Sequence, residues 1–201
     1  MRERRYYLFS LVLAAIFIVA LSARAENVEN NSSQPSISTG KAYEEKGDLP
    51  NFHKVHDFLY RGGRPTEAGL EQLKAMGIKT IIDLRTSKAE VEPEAAIAKR
   101  MGFKTINLPM TSQPPTKKEI DTFISAVENA EKTNSPMFVH CAHGADRTGC
   151  MVGIWRVSHE GWSYDKAYEE MRKYNFKPKY SLLSSTVKEY ADQASRKTAE
   201  Q

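Results

Sequence analysis

The sequence predicts an α/β domain with a central, mostly parallel sheet flanked by helices. Three observations carry this. Short apolar runs such as Ile81-Ile82 and Met137-Phe138-Val139 alternate with longer stretches of helical periodicity. The helical stretches are bounded by start and stop residues. Late in the chain, Pro136 to Val139 runs into a loop and then into the apolar stretch from Gly149 to His159. Strands without a polar face are those buried on both sides, and parallel strands need helical crossovers between them.

The elements follow in order. Glu26 to about Leu49 is rich in Asn, Ser, Gly and Glu and reads as a flexible linker, set at 26–50. The domain is set at 51–195, with a disordered tail at 196–201. Phe58-Leu59-Tyr60 predicts the first strand. Thr66 caps a helix to about Met76, with Leu70, Leu73 and Met76 at helical spacing and Gly77 as its stop. Thr80 to Leu84 predicts a buried strand, Ala89–Met101 a helix, and Lys104 to Leu108 another strand. Pro109, Pro114 and Pro115 make the next loop non-helical. Thr116 with Glu119 is a capping box opening a helix whose stripe is Ile120, Phe123, Ile124 and Val127. After the strand, loop and helix of 136–159, Ser163 caps a helix from Tyr164 to Tyr174, and a last helix spans about Tyr180 to Ala191. There is no internal repeat.

The chemistry concentrates in His140-Cys141-Ala142-His143-Gly144-Ala145-Asp146-Arg147-Thr148-Gly149. A strand, a loop and a helix N-terminus make an anion-binding geometry. Ala142, His143, Gly144 and Ala145 wrap into a cradle whose amides face one anion, and Gly144 permits a backbone that side chains resist. Arg147 offers a planar fork to two phosphate oxygens. That positive field and the helix dipole favour the thiolate of Cys141, which is then a nucleophile for phosphorus. Thr148 is placed to hydrogen-bond the thiolate, and His140 to orient the loop backbone. His143 either tunes the thiolate or touches the leaving group, or it is an exposed loop side chain. A bare Cys-to-Arg spacing is common, but the fixed positions taken together are not.

These residues resemble the signature loop of cysteine-dependent protein tyrosine and dual-specificity phosphatases. The resemblance extends from about Phe58 to Phe176. Tyr60-Arg61-Gly62-Gly63-Arg64-Pro65 and Ile81-Ile82-Asp83-Leu84-Arg85 resemble segments of the compact, atypical dual-specificity group of bacteria, fungi and plants. It implies a dual-specificity-phosphatase-like fold, a phosphocysteine mechanism, and no metal or other cofactor. It leaves the substrate open between phosphotyrosine in protein and a non-protein phosphate such as an inositol phosphate, phospholipid head or sugar phosphate.

The resemblance also implies an acidic residue on a loop roughly thirty residues before the Cys. Leu108 to Pro115 contains no carboxylate. Asp121 falls inside a predicted helix, and Asp83 ends a strand far away in sequence. Asp146, inside the loop, is the local substitute. Cys-x-x-x-x-Asp-Arg-Thr resembles the loop of Sac and myotubularin phosphoinositide phosphatases, where an in-loop Asp is a proposed general acid. The alternative is that Asp146 only orients Arg147 or a loop amide. The catalytic set is therefore Cys141, Arg147 and Asp146.

Around the loop, Arg61, Arg64 and Arg85 follow strands, and each either contacts substrate or is an ordinary surface charge. Arg85 is equally suited to bracing the loop. Lys117, Lys118, Lys177 and Lys179 read as a basic rim or as solvated charges. Trp155 and Trp162 read as packing residues. Two rival functions remain: a phosphate-binding module without turnover, and sulfur transfer, whose rhodanese-type loops are usually shorter.

The N-terminus is a separate matter. Arg2, Arg4 and Arg5 precede an apolar run from Leu8 to Leu21, and Ala23-Arg24-Ala25 fits a small-x-small cleavage site. Residues 1–25 therefore read as a secretory signal peptide, with an uncleaved membrane anchor as the rival. Either places the domain outside the cytoplasm, periplasmic or secreted. The chain carries 29 basic and 25 acidic residues. Residues 1–25 hold four of the arginines and one glutamate, so the remainder has 25 basic and 24 acidic residues, a net of +1. That balance gives no argument for a nucleic-acid partner. The expected partner is a phosphorylated substrate met by a monomer. Cys150 reads as a buried thiol, with a disulfide to Cys141 as the alternative in an exported protein.

Overall fold

Five strands form one sheet in the computed structural model, which describes residues 47–200. They are β1 (His53–Lys54), β2 (Leu59–Gly62), β3 (Thr80–Asp83), β4 (Lys104–Asn107) and β5 (Met137–His140). Their spatial order is β1-β2-β5-β3-β4. β1 pairs antiparallel with β2, and the other three pairings are parallel. The mostly parallel α/β sheet predicted from sequence is the sheet observed. Six helices connect and cover it: α1 (Glu67–Ala75), α2 (Lys88–Arg100), α3 (Lys117–Thr133), α4 (Asp146–His159), α5 (Tyr164–Lys173) and α6 (Ser181–Ala199).

Strand alternation divides the core. Ile81 and Phe138 point to the face covered by α1 and α2, where they join Leu70, Leu73, Ala98 and Phe103. Ile82, Met137 and Val139 point to the other face, against Phe123, Met151, Ile154, Met171 and Val187 of α3, α4, α5 and α6. α4 lies in the middle of that second layer, and ten of its residues are buried. An apolar helix without a polar stripe is the consequence of burial on all sides. Each fully buried Phe or Leu contributes about 1.5–3 kcal/mol relative to exposure.

The predicted caps are in place. Thr66 accepts the Gly69 amide, Ser163 accepts the Lys166 amide, and Thr116 with Glu119 makes the reciprocal capping box.

Several boundaries differ. β1 is two residues long, too short for a periodicity to announce it. α4 begins at Asp146 rather than Gly149, because polar Asp146 and Arg147 form its first turn where the loop needs them. The linker set at 26–50 ends earlier. Asp48 accepts the Thr66 amide and hydroxyl, and the Pro50 carbonyl accepts the Gly63 amide, so these residues belong to the domain. The tail set at 196–201 is helical through Ala199, since neither Gly nor Pro stops α6. The leader at 1–25 and the first part of the linker lie outside the described residues. Among the described residues no helix is long and apolar enough to cross a membrane.

Candidate active site

β5 ends at His140, and its register sets Gly62 of β2 on one side and Asp83 of β3 on the other. Three strand ends therefore bring Gly62-Gly63, Leu84-Arg85 and Cys141 to one edge of the sheet, the edge where such sheets take ligands. The loop from Cys141 to Ala145 then leads directly into α4.

The loop is held from outside by its carbonyls. His140 Nδ1 lies 3.2 Å from the Cys141 oxygen. The Arg64 amide donates to Ala142 O at 3.1 Å, and Asn51 Nδ2 donates to His143 O at 3.2 Å. Arg61 Nη2 donates to Gly144 O at 2.8 Å. In a trans peptide the N–H points opposite to the C=O. Pinning four successive carbonyls outward therefore turns the amides of Ala142, His143, Gly144 and Ala145 inward. The Gly144 amide donates to Cys141 Sγ at 3.2 Å.

Gly144 has φ +70, which favours glycine. A Cβ there would lie 2.3 Å from Gly62 C and 2.4 Å from Gly63 N. The cradle thus sits directly on the end of β2.

A buried network lies beneath the loop. Arg85 Nη2 bonds Asp83 Oδ2 at 2.7 Å and Glu94 Oε2 at 2.6 Å. Glu94 Oε1 is 2.9 Å from His140 Nε2. Asp83, Glu94 and His140 form the one cluster of metal-like spacing among the described residues, and the Arg85 guanidinium already sits on both carboxylates. Arg85 and Arg61 brace the loop rather than facing substrate. Arg64 braces it through its backbone.

Above the loop is an open cavity of about 320 Å³. Cys141, His143, Asp146 and Arg147 line it from the loop and α4. Thr86, Met110, Thr111, Ser112, Tyr180 and Leu183 complete the wall. Arg147 Nη1 reaches Met110 O at 3.3 Å and Leu84 O at 3.4 Å, which spreads its guanidinium across the cavity side. Asp146 is the single carboxylate among the lining residues, and its Oδ1 accepts the Lys177 amide at 2.8 Å. Asp121 pairs with Lys117 on the exposed face of α3.

Not every expected residue faces substrate. Thr148 is fully buried, and its hydroxyl makes no hydrogen bond among the described residues. The Gly144 amide holds the sulfur in its place. Cys150 is a free, buried thiol directed at Leu183 O, and burial pushes it up to about 12. Trp155 and Trp162 pack as expected, the latter under Arg156 at 4.3 Å. Sequence reasoning missed Glu94, Asn51 and Tyr180. Glu94 did leave a trace, as a carboxylate on the same helical face as Val91 and Ala98.

Residues 25–189 match the family described as PTP-NADK, the DSP-PTPase phosphatase fused to NAD+ kinase. The chain belongs to this family. Among curated relatives, the inositol diphosphatase DSP3 of Arabidopsis thaliana is 30% identical over 128 residues, 61% of this chain and 61% of that protein. The dual specificity protein phosphatase TpbA of Pseudomonas aeruginosa is 24% identical over 126 residues, 63% of this chain and 55% of that protein. The chain therefore spans less than two thirds of the length of these curated relatives. The crystal structure of PTPMT1 in complex with PI(5)P shares the fold, with a TM-score of 0.62 at 16% identity over 73% of this chain and 98% of that one.

Proposed function

We propose that the chain is a cysteine-dependent phosphomonoesterase of the tyrosine and dual-specificity type. One observation carries this reading. Cys141, with the Gly144 amide on its Sγ, and Arg147 line the same cavity.

The thiolate of Cys141 attacks phosphorus in line with the ester oxygen. The S–P bond forms as the P–O bond to the leaving group breaks. Arg147 and the inward amides hold the three equatorial oxygens as charge shifts onto them. Asp146 gives its proton to the leaving oxygen. In the second half, a water attacks the phosphocysteine and its proton passes to Asp146. The S–P bond breaks, and phosphate leaves with the thiolate restored.

A second, non-protein substrate class has support of its own. A further cavity of about 320 Å³ adjoins the first through Ser112 and Tyr180, and Lys179 lines it. A second anionic group on an inositol phosphate, lipid or sugar phosphate fits that position better than a flat peptide strand does. DSP3 is named an inositol diphosphatase, and PTPMT1 was solved in complex with PI(5)P. The leader-like residues 1–25 support an exported place for the activity.

The decisive experiment measures phosphate release from p-nitrophenyl phosphate in the presence of a metal chelator. Wild type turns over, and Cys141→Ser loses activity by at least about a thousandfold. Turnover surviving in Cys141→Ser rejects the mechanism, and inactivity of wild type leaves a phosphate-binding module. A panel of phosphopeptides, inositol phosphates, lipids and sugar phosphates then separates the substrate classes.

A further inference from the structure

Arg61 is 0% exposed in the middle of the sheet, opposite Val139 in the β2–β5 register. Its Nη2 donates to Gly144 O, and its guanidinium lies over the Tyr174 ring at 4.7 Å. Nε and Nη1 are buried without a hydrogen-bond partner, and no carboxylate among the described residues pairs with it. A buried arginine in that condition is costly, so the fold retains it against a penalty. Arg85, a neighbour under the same loop, has two carboxylates. The contrast asks which anion answers Arg61. The charged and titratable groups around it are Glu170, beyond hydrogen-bond reach, Tyr174 and Cys141, whose anionic forms favour the guanidinium charge, and Arg156, which opposes it. Burial outweighs them and pulls Arg61 down to about 10.

We propose that Arg61 is a positioning residue for the cradle, turning the Gly144–Ala145 peptide toward phosphate and supplying from beneath the loop the positive charge that the thiolate and bound phosphoryl group balance. The peptide geometry follows from the bond to Gly144 O. With that oxygen held downward, the Ala145 N–H faces the cavity. The charge follows from burial. In a site of low polarity a guanidinium acts on the loop's anion far more strongly than the same group in water. Arg147 grips the phosphate from the side, and Arg61 acts through the loop without touching substrate. The role rests on the part of the phosphatase reading that sets a Cys141 thiolate in a phosphate-binding cradle, and not on turnover.

The test uses the full chain with Arg61→Gln, which keeps a donor and loses the charge, and Arg61→Lys, which keeps the charge and loses the fork. Iodoacetamide modifies Cys141 through its thiolate, whereas Cys150, held near 12, stays silent. At about pH 6 the alkylation rate falls about tenfold in Arg61→Gln and stays within about threefold of wild type in Arg61→Lys. Protection against alkylation by inorganic phosphate weakens about tenfold in both, since neither side chain presents a donor where Nη2 meets Gly144 O. Circular dichroism confirms that each variant is folded. A folded Arg61→Gln that matches wild type in both measurements overturns the proposal. Should Arg61→Gln fail to fold, Arg61→Lys decides, and a folded Lys variant that is alkylated as slowly as a free thiol overturns the charge role. Neither measurement needs turnover. A wild type that is alkylated, is protected by phosphate and yet releases none from any ester defeats the phosphatase reading and leaves the role of Arg61 standing.

Discussion

Asp146 meets two demands with one carboxylate. It lines the cavity above the loop, and it anchors the segment after α5 by accepting the Lys177 amide. If it is the proton donor, the cost of losing it depends on the leaving group. Asp146→Asn keeps an acceptor for Lys177 and removes the proton. Its rate on phenyl phosphate is expected to fall about a hundredfold, and on p-nitrophenyl phosphate less than about tenfold, because the better leaving group needs less protonation. Equal losses on both substrates reduce Asp146 to an anchor. At this scale the meeting of Cys141, Arg147 and Asp146 in one cavity was legible, because a fixed spacing between chemically distinctive residues survives in one dimension. Arg61 and Arg85 were visible only as arginines near strands. Their burial, and the choice between substrate and loop as partner, belong to the tertiary structure.

The cradle works as an element because it rests on another element's end. Gly144 packs on Gly62 and Gly63 with no room for a methyl group. Gly144→Ala is expected to lose on the order of 2 kcal/mol from the positive φ, and more from the backbone shift that the contact forces. Gly77→Ala is the control, since Gly77 has φ +84 with nothing within 4 Å of an added Cβ. Thermal denaturation together with the rate on p-nitrophenyl phosphate checks this. Comparable loss of stability in both variants, with activity intact in Gly144→Ala, contradicts the close-packed cradle. The helices were readable from their caps and stripes to within a few residues, except that α6 runs on to Ala199, past the expected end at Ala191. The start of α4 was not, because periodicity sees the apolar Gly149 onward and misses a first turn made of Asp146 and Arg147.

For the whole molecule, pH acts through the ground beneath β1. His53 stacks on Tyr174 at 4.0 Å and sits 3.0 Å from Asn51 Oδ1. Burial first, then the charges of Arg61 and Lys173, lower its pKa from 6.5 to about 4. Folding therefore disfavours its protonation. The stability it contributes is complete above about 6.5 and is lost as pH falls toward about 4. His53→Gln is expected to flatten the decline of Tm across that window, and identical slopes in both proteins refute it. The α/β layout was legible because alternating strands and helices admit few parallel-sheet solutions. The spatial order β1-β2-β5-β3-β4 was not, because strand neighbours are chosen by packing between distant segments.

The four groups that pin the loop's carbonyls come from Asn51, Arg61, Arg64 and His140, and the cavity wall closes only with Tyr180 and Leu183. The surroundings of Cys141 are thus assembled from both ends of the domain. On a growing or partly folded chain, Cys141 is an ordinary thiol with no gathered amides around it. On the proposed reading it becomes a nucleophile once those loop contacts have formed, so the hazard of carrying a reactive thiol begins only with the fold that shelters it.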